Sequence, residues 1–191
     1  GGFTHFMLKE IFEQPKAVAD TLIGRLSDNK QIVLDELRMS ADEIRALKKI
    51  TVIACGTAYH AGMVAKYAIE KWAKIPVEVE IASEFRYRDP IIDAGTLVIA
   101  ISQSGETMDT LMAVRHAKAA GGRVLAICNT NSSTIPRESD AVLYTHAGPE
   151  IAVASTKALL TQMVAVYLIG LHLAQVNGSL NDAEVEGLYN E

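Results

Sequence analysis

The sequence predicts an α/β fold, a parallel sheet with helices on both faces in a three-layer αβα sandwich, preceded by N-terminal helices. Three observations predict it. Short apolar runs rich in β-branched residues, at 50–55, 77–81, 96–101, 123–128 and 141–144, read as strands. Segments of helical spacing separate most of them, and such alternation argues a parallel sheet covered on both sides. Two polar, glycine-containing loops, Cys55-Gly56-Thr57 and Ser102-Gln103-Ser104-Gly105-Glu106-Thr107, each follow a strand, where open α/β sheets bind their ligands.

In chain order, residues 5–26 read as helix, with Phe6, Ile11, Val18, Leu22 and Leu26 on one stripe and a break expected at Pro15. Residues 24–30 and 35–38 read as polar connection. Ser40-Ala41-Asp42-Glu43 has capping-box spacing and should start a short helix ending near Lys48. Residues 50–55 form the first strand. Gly56-Thr57 turns into a helix over 58–73, with Met63, Tyr67 and Trp72 available for packing. Pro76 opens the alternating strand 77–81, and 83–88 is a short helix or turn. The strand at 96–101 leads into a helix over 107–120, carrying Leu111, Val114, Ala117 and the stem of Lys118 on its inner face. Gly121-Gly122 end that helix. The strand 123–128, turn residues 129–133 and the strand 141–144 follow. A long apolar helix over 155–175 and a polar tail close the chain.

The 102–107 loop carries the clearest chemistry. The first N–H groups of a helix have no internal partner, and the helix dipole favours negative charge there. Ser102, Ser104 and Thr107 add hydroxyls, and Gly105 lets backbone approach a ligand. This set suits a phosphate monoester held by many weak donors. The alternative is that Ser104 or Thr107 caps the helix, with Glu106 in its first turn. Glu106 could serve as an acid or base, or be a solvated carboxylate. Lys157 could reach an anion, or be a surface or subunit-contact charge.

Several classes are excluded. The interval from Gly56 to Gly62 is not the dinucleotide fingerprint, and there is no P-loop or Gly-x-Ser-x-Gly elbow. The five histidines share no metal-ligand spacing, so neither metal nor cofactor is expected. A net charge of -5 argues against nucleic acid, and any phosphate must be held by local donors. With 49% hydrophobic and 21% charged residues, the 191-residue chain reads as one soluble, globular unit. Cys55 and Cys128 each close an apolar run, as small buried thiols do, and fit a reducing cytoplasm. No secretory leader is read at the start, and no run approaches about 18 apolar residues, so no membrane association is expected.

The Ser-Gln-Ser-Gly-Glu-Thr motif after an apolar strand resembles the phosphosugar loop of the sugar isomerase (SIS) domain family. The resemblance extends over nearly the whole chain. It takes in His5-Phe6-Met7-Leu8-Lys9-Glu10-Ile11, Glu13-Gln14-Pro15, Ala54-Cys55-Gly56-Thr57, the stretch from Ala82 to Arg88 and that from Glu150 to Lys157. It implies a five-stranded flavodoxin-like sheet, with 1–40 a helical segment following a glutaminase domain and 41–191 the SIS domain. It also implies a sugar-phosphate pocket: Ser102, Gln103, Ser104 and Thr107 on the phosphate, Thr57, Val153 (through its backbone) and Ser155 on the sugar. Some members have Ser where this chain has Ala58, which removes one hydroxyl. The activity implied is synthesis of glucosamine 6-phosphate and glutamate from fructose 6-phosphate and glutamine. The partners implied are a second SIS half, the glutaminase domain and a second subunit. The acid–base groups of such an enzyme would lie outside this sequence, and Gly1 is no nucleophile, so this chain should hold substrate without turning it over. A sugar-sensing regulator would need a basic recognition helix, which 5–47 does not offer. A stand-alone phosphosugar isomerase would need its own acid–base pair. The apolar helix 155–175 should leave a face for a second copy unless the N-terminal helices cover it.

Overall fold

In the computed structural model, residues 2–191 are described; Gly1 lies outside them. Five strands, β1 (Lys49–Ala54), β2 (Val77–Ile81), β3 (Thr96–Ser102), β4 (Arg123–Cys128) and β5 (Ala141–Tyr144), form one sheet in the order β2-β1-β3-β4-β5. Every pairing is parallel. β3 is buried at all its positions, as a central strand covered on both faces must be. Successive side chains point to opposite faces. Ile50, Val52, Leu97, Ile99 and Ile101 enter one core, while Ile53, Val98, Ala100, Val124 and Ala126 enter the other.

The first core is roofed by α3 (Thr57–Ala73) and α7 (Lys157–Asn177), and the second by α4 (Ala82–Phe85), α5 (Met108–Ala119) and α6 (Thr134–Glu138). On α5 the predicted Leu111, Val114 and Ala117 are buried, but Lys118 turns outward to Asp140 at 3.0 Å. On α3 it is Ala61, Ala65 and Ile69 that face the sheet. A Cβ on Gly62 would lie 3.0 Å from Val52 Cγ1, so the helix sits close to the strands. Met63 and Tyr67, expected to pack, are therefore exposed on the outer side, and Trp72 alone of the three packs, edge-on against Tyr167.

The N-terminal region departs most from expectation. α1 (Phe6–Leu22) is one helix that runs through Pro15. Pro15 and Ile11, whose carbonyl the ring crowds, both lie on the exposed flank, where that carbonyl can bond water. The predicted stripe fails at its start: Phe6 and Ile11 are exposed, and the buried face is Glu10, Ala17 and Thr21. The connection after α1 is anchored by buried Ile32, Leu34 and Leu37, with a 3-10 turn over Asp35–Leu37. α2 (Ala41–Arg45) has the expected capping box, Glu43 N donating to Ser40 Oγ and Ser40 N to Glu43 Oε2, but ends before Lys48. The polar tail is α8 (Asp182–Asn190), started by a second capping box of Asn181 and Glu184; its Val185 is buried and its Tyr189 hydroxyl donates to Leu22 O.

α7 is long and apolar enough to cross a membrane by length and composition. Here it is the core helix, with Ala165, Val166, Ile169 and Leu173 buried. α1, α3 and α8 pack around it, leaving Tyr167 as its exposed large apolar residue. The face expected to await a second copy is thus covered within this chain.

His172 on α7 tests the packing of the connection. Its Nδ1–H donates to Ile32 O at 3.2 Å, and burial pushes the imidazole below its ordinary value, against the pull of that hydrogen bond. The unfolded chain then binds this proton first. The stability contributed is fully present above about pH 6.5 and is lost as pH falls below it. Urea titrations between about pH 7 and pH 5 should show stability declining, and His172→Gln should reduce that decline. Identical pH slopes in both proteins would refute the assignment.

Candidate functional site

β1 and β3 lie side by side, Ala54 against Ile101, and the chain leaves their carboxyl ends towards opposite faces of the sheet. A cleft of about 180 Å³ opens over these two ends. Thr57, Ser102, Gln103, Ser104, Thr107, Val153 and Ser155, all seven of the residues predicted, line it. Cys55, Ala58, Ile101, Thr110 and Gln162 complete the lining. Thr110 lies one turn beyond Thr107 on α5, a spacing that could have found it. Gln162 is a lone amide in an apolar helix stretch, a weaker signal.

The 102–107 loop is preorganised by its own short side chains. Gly105 takes φ +66°, and its N–H donates to Ser102 Oγ at 3.1 Å. Ser102 and Thr107 hydroxyls lie 3.3 Å apart, and Glu106 N donates to Ser104 Oγ at 3.2 Å. Thr107 is the N-cap of α5, yet its side chain makes no capping bond, so the capping alternative does not hold. The Thr110 hydroxyl is buried with no partner, a state that costs about 1–3 kcal/mol.

Glu106 is exposed, as a solvated carboxylate is, and does not line the cleft. Its Oε1 accepts from Thr134 Oγ1 and Thr134 N, and these two bonds hold the carboxyl below its ordinary range. It ties the loop to the start of α6, beside the Ile135 N bond to Gly105 O. Cys128 lies beneath, its thiol pushed up to about 12 by burial, a structural group rather than a nucleophile.

The third wall, residues 148–156, is held by carboxylates that sequence reasoning missed. Glu150 accepts from Thr156 N at 2.8 Å, Ala158 N at 3.3 Å and Ser155 Oγ at 3.0 Å, fastening the loop to the start of α7. The Ser155 hydroxyl proton is therefore already committed. Glu10 of α1, itself buried, accepts from Ile151 N at 2.6 Å and Ala152 N at 3.2 Å. Ala17, Ala147 and Ala158 let α1, this wall and α7 approach closely. Lys157 is 4% exposed and bonds Glu13 Oε2 at 2.7 Å. It is thus a buried ion-pair partner for α1, neither an anion ligand nor a surface charge; the sequence could not show that Glu13 would arrive beside it. Val153 stands at the rim, its side chain wholly exposed.

Among the described residues no charged side chain lines the cleft. Hydroxyls, amides and the α5 N-terminus can hold an anion but offer no acid–base pair. Among the described residues no three His, Cys, Asp or Glu side chains gather as a metal site would require.

The SIS domain family matches residues 43–171. The chain is 68% identical over 184 residues to a glutamine–fructose-6-phosphate aminotransferase (isomerizing) of Streptomyces coelicolor, covering 96% of this chain and 30% of that protein. It is 65% identical over its whole length to the protein of the same name in Mycolicibacterium paratuberculosis, again 30% of that protein. It superposes with a TM-score of 0.93 on the C-terminal domain of the glucosamine-fructose-6-phosphate aminotransferase of Francisella tularensis, at 46% identity, covering 99% of this chain and 53% of the other. The chain thus spans about 30% of the length of the curated relatives it matches.

Gly105 gives the sharpest test of the loop. An alanine there would carry left-handed strain of about 1–2 kcal/mol. Its Cβ would also lie 2.0 Å from Ser133 Oγ and 2.8 Å from Ser133 Cβ. Gly105→Ala should therefore lower the urea midpoint by more than the strain alone, and Gly105→Ala with Ser133→Ala should recover only part. A midpoint equal to wild type would show that the loop is fixed elsewhere.

Proposed function

This chain belongs to the SIS domain family, and from that premise we propose that its cleft holds a hexose 6-phosphate as the fructose-6-phosphate-binding part of a glutamine–fructose-6-phosphate aminotransferase (isomerizing). The observation that carries this is the uncharged cleft of hydroxyls and amides at the N-terminus of α5. With a net charge of -5 and no cation in the lining, a phosphate is held by hydrogen bonds and the α5 dipole rather than by a positive field. Ser102, Gln103, Ser104 and Thr107 hold the phosphate. Thr57, Ser155 and the Val153 backbone meet the sugar, and Ala58 contributes a methyl where a hydroxyl would add one donor.

The 191-residue chain binds without turnover in this reading. Opening a sugar ring and moving its protons need a placed acid and base, and no carboxylate, imidazole or amine lines the cleft. A second SIS half and a glutaminase domain supply those groups and the ammonia in the full-length enzyme. Residues 1–40 are the helical segment after the glutaminase, and 41–191 the SIS domain. A sugar-sensing regulator fits less well, because the outer face of α1 is apolar rather than basic. Two free cysteines fit a cytoplasmic setting.

The same outer face argues for a second copy of the chain. Phe3, Phe6, Met7, Leu8, Ile11 and Phe12 are all exposed, with Phe12 at 67%. Large apolar side chains left to water in such number mark an interaction surface, and a symmetric dimer would cover them.

Titration with fructose 6-phosphate or glucose 6-phosphate tests the phosphate assignment. Hydrogen bonds to a charged group are worth roughly 1.5–3 kcal/mol, so replacing both Ser104 and Thr107 by Ala should weaken binding at least about tenfold. Unchanged affinity in the double variant would sink it. Sedimentation equilibrium at micromolar concentration should give a dimer, and Phe6→Ser with Phe12→Ser should give a monomer. A wild-type monomer under those conditions would count against self-association.

A further inference from the structure

Gln162 lines the cleft with hydrogen-bonding capacity and, like the Thr110 hydroxyl on α5, has no role so far. Its α7 neighbours Leu159, Leu160, Met163 and Val164 are apolar. Thr161 beside it is satisfied, its hydroxyl donating to Ala158 O at 2.9 Å. Gln162 is 3% exposed and lines the cleft, yet its amide makes no hydrogen bond to the described residues. A primary amide offers two donors and an acceptor, and burying it unpaired is unfavourable. Neither amide atom is among the buried atoms sealed from solvent. The sliver of Gln162 that remains accessible is therefore its amide head, and the cleft is where it emerges.

Its placement separates it from the phosphate loop. Gln162 comes from α7, which covers the same face of the sheet as α3, the helix that brings Thr57 and Ala58. The 102–107 loop leads instead into α5 on the opposite face. At 1.5 Å per residue, Gln162 lies about 7–8 Å along α7 from Lys157, down the cleft wall from the rim. A ligand held by its phosphate on the loop would extend its polyol towards this wall.

Building on the phosphosugar reading, we propose that Gln162 is a specificity-determining residue that reads the sugar. Its amide N–H donates to one sugar oxygen while its amide oxygen accepts from a neighbouring hydroxyl. Inorganic phosphate lacks the polyol and stays on the loop, so Gln162 contributes to sugar phosphates and not to phosphate.

The test compares fructose 6-phosphate with inorganic phosphate on wild type and Gln162→Met, by calorimetric titration. The expected result is a loss of at least about tenfold in fructose 6-phosphate affinity, with phosphate affinity changed less than about twofold. In 15N-labelled wild type, the Gln162 side-chain amide resonances should shift with fructose 6-phosphate and stay in place with phosphate, a readout that needs no variant to fold. Unchanged sugar-phosphate affinity in Gln162→Met, an equal loss for both ligands, or an amide resonance indifferent to the sugar would each overturn the proposal. Wild type that binds neither ligand would instead defeat the phosphosugar reading itself.

Discussion

Parallel pairing of β1 with β3, in register from Lys49 against Thr96 to Ala54 against Ile101, is the constraint on which the rest depends. It brings two carboxyl ends together at the centre of the sheet. β2 then lies beyond β1, and β4 beyond β3. The chain leaving Ala54 becomes α3 on one face, and the chain leaving Ser102 becomes α5 on the other. Parallel strands require crossovers, and the crossovers diverge here, so a crevice opens between them. The cleft is a consequence of strand order before any of its side chains is considered.

The side chains that shape the cleft are mostly not in it. Glu106, Glu150 and Glu10 each hold backbone N–H groups of a cleft wall or of the element beside it. Loops at a sheet edge have backbone donors that neither strand nor helix satisfies, and a carboxylate can accept several of them. The negative charge of the chain is thus partly spent inside the fold, while the cleft itself stays uncharged. An anion entering it meets dipoles already oriented by their neighbours, which need not reorganise around it. α1 belongs to this scaffold: its buried face of Glu10, Ala17 and Thr21 grips the wall before α7, Thr21 Oγ1 accepting from His146 N at 3.2 Å.

Much of this was legible in the residues. The five strands announce themselves because both faces of a parallel sheet are buried, which forces apolar, β-branched runs. The Ser40 capping box and the hydroxyl loop are local, and local rules found them. Pro15, Met63, Tyr67 and the stripe on α1 were misread for one reason. Helical spacing shows which residues share a face, but not which face the rest of the protein covers. α8 was missed although Asn181 and Glu184 carry the same capping signature as Ser40 and Glu43. Ile32, Leu34 and Leu37 sit in a stretch without period, so nothing local marked them as core.

The sequence by itself determined the strands, the two loops at their ends and hence the residue types that can meet a ligand. These follow from short-range rules: alternation, turn chemistry and the unpaired amides of a helix start. Only the tertiary structure decided that Thr57, residues 102–104, Thr107, Val153 and Ser155 share one cleft, that Lys157 is buried against Glu13 and that Gln162 faces the cleft from α7. Those facts depend on contacts between residues far apart in the chain. Burial and pairing there are set by which surfaces meet, and no local pattern contains that.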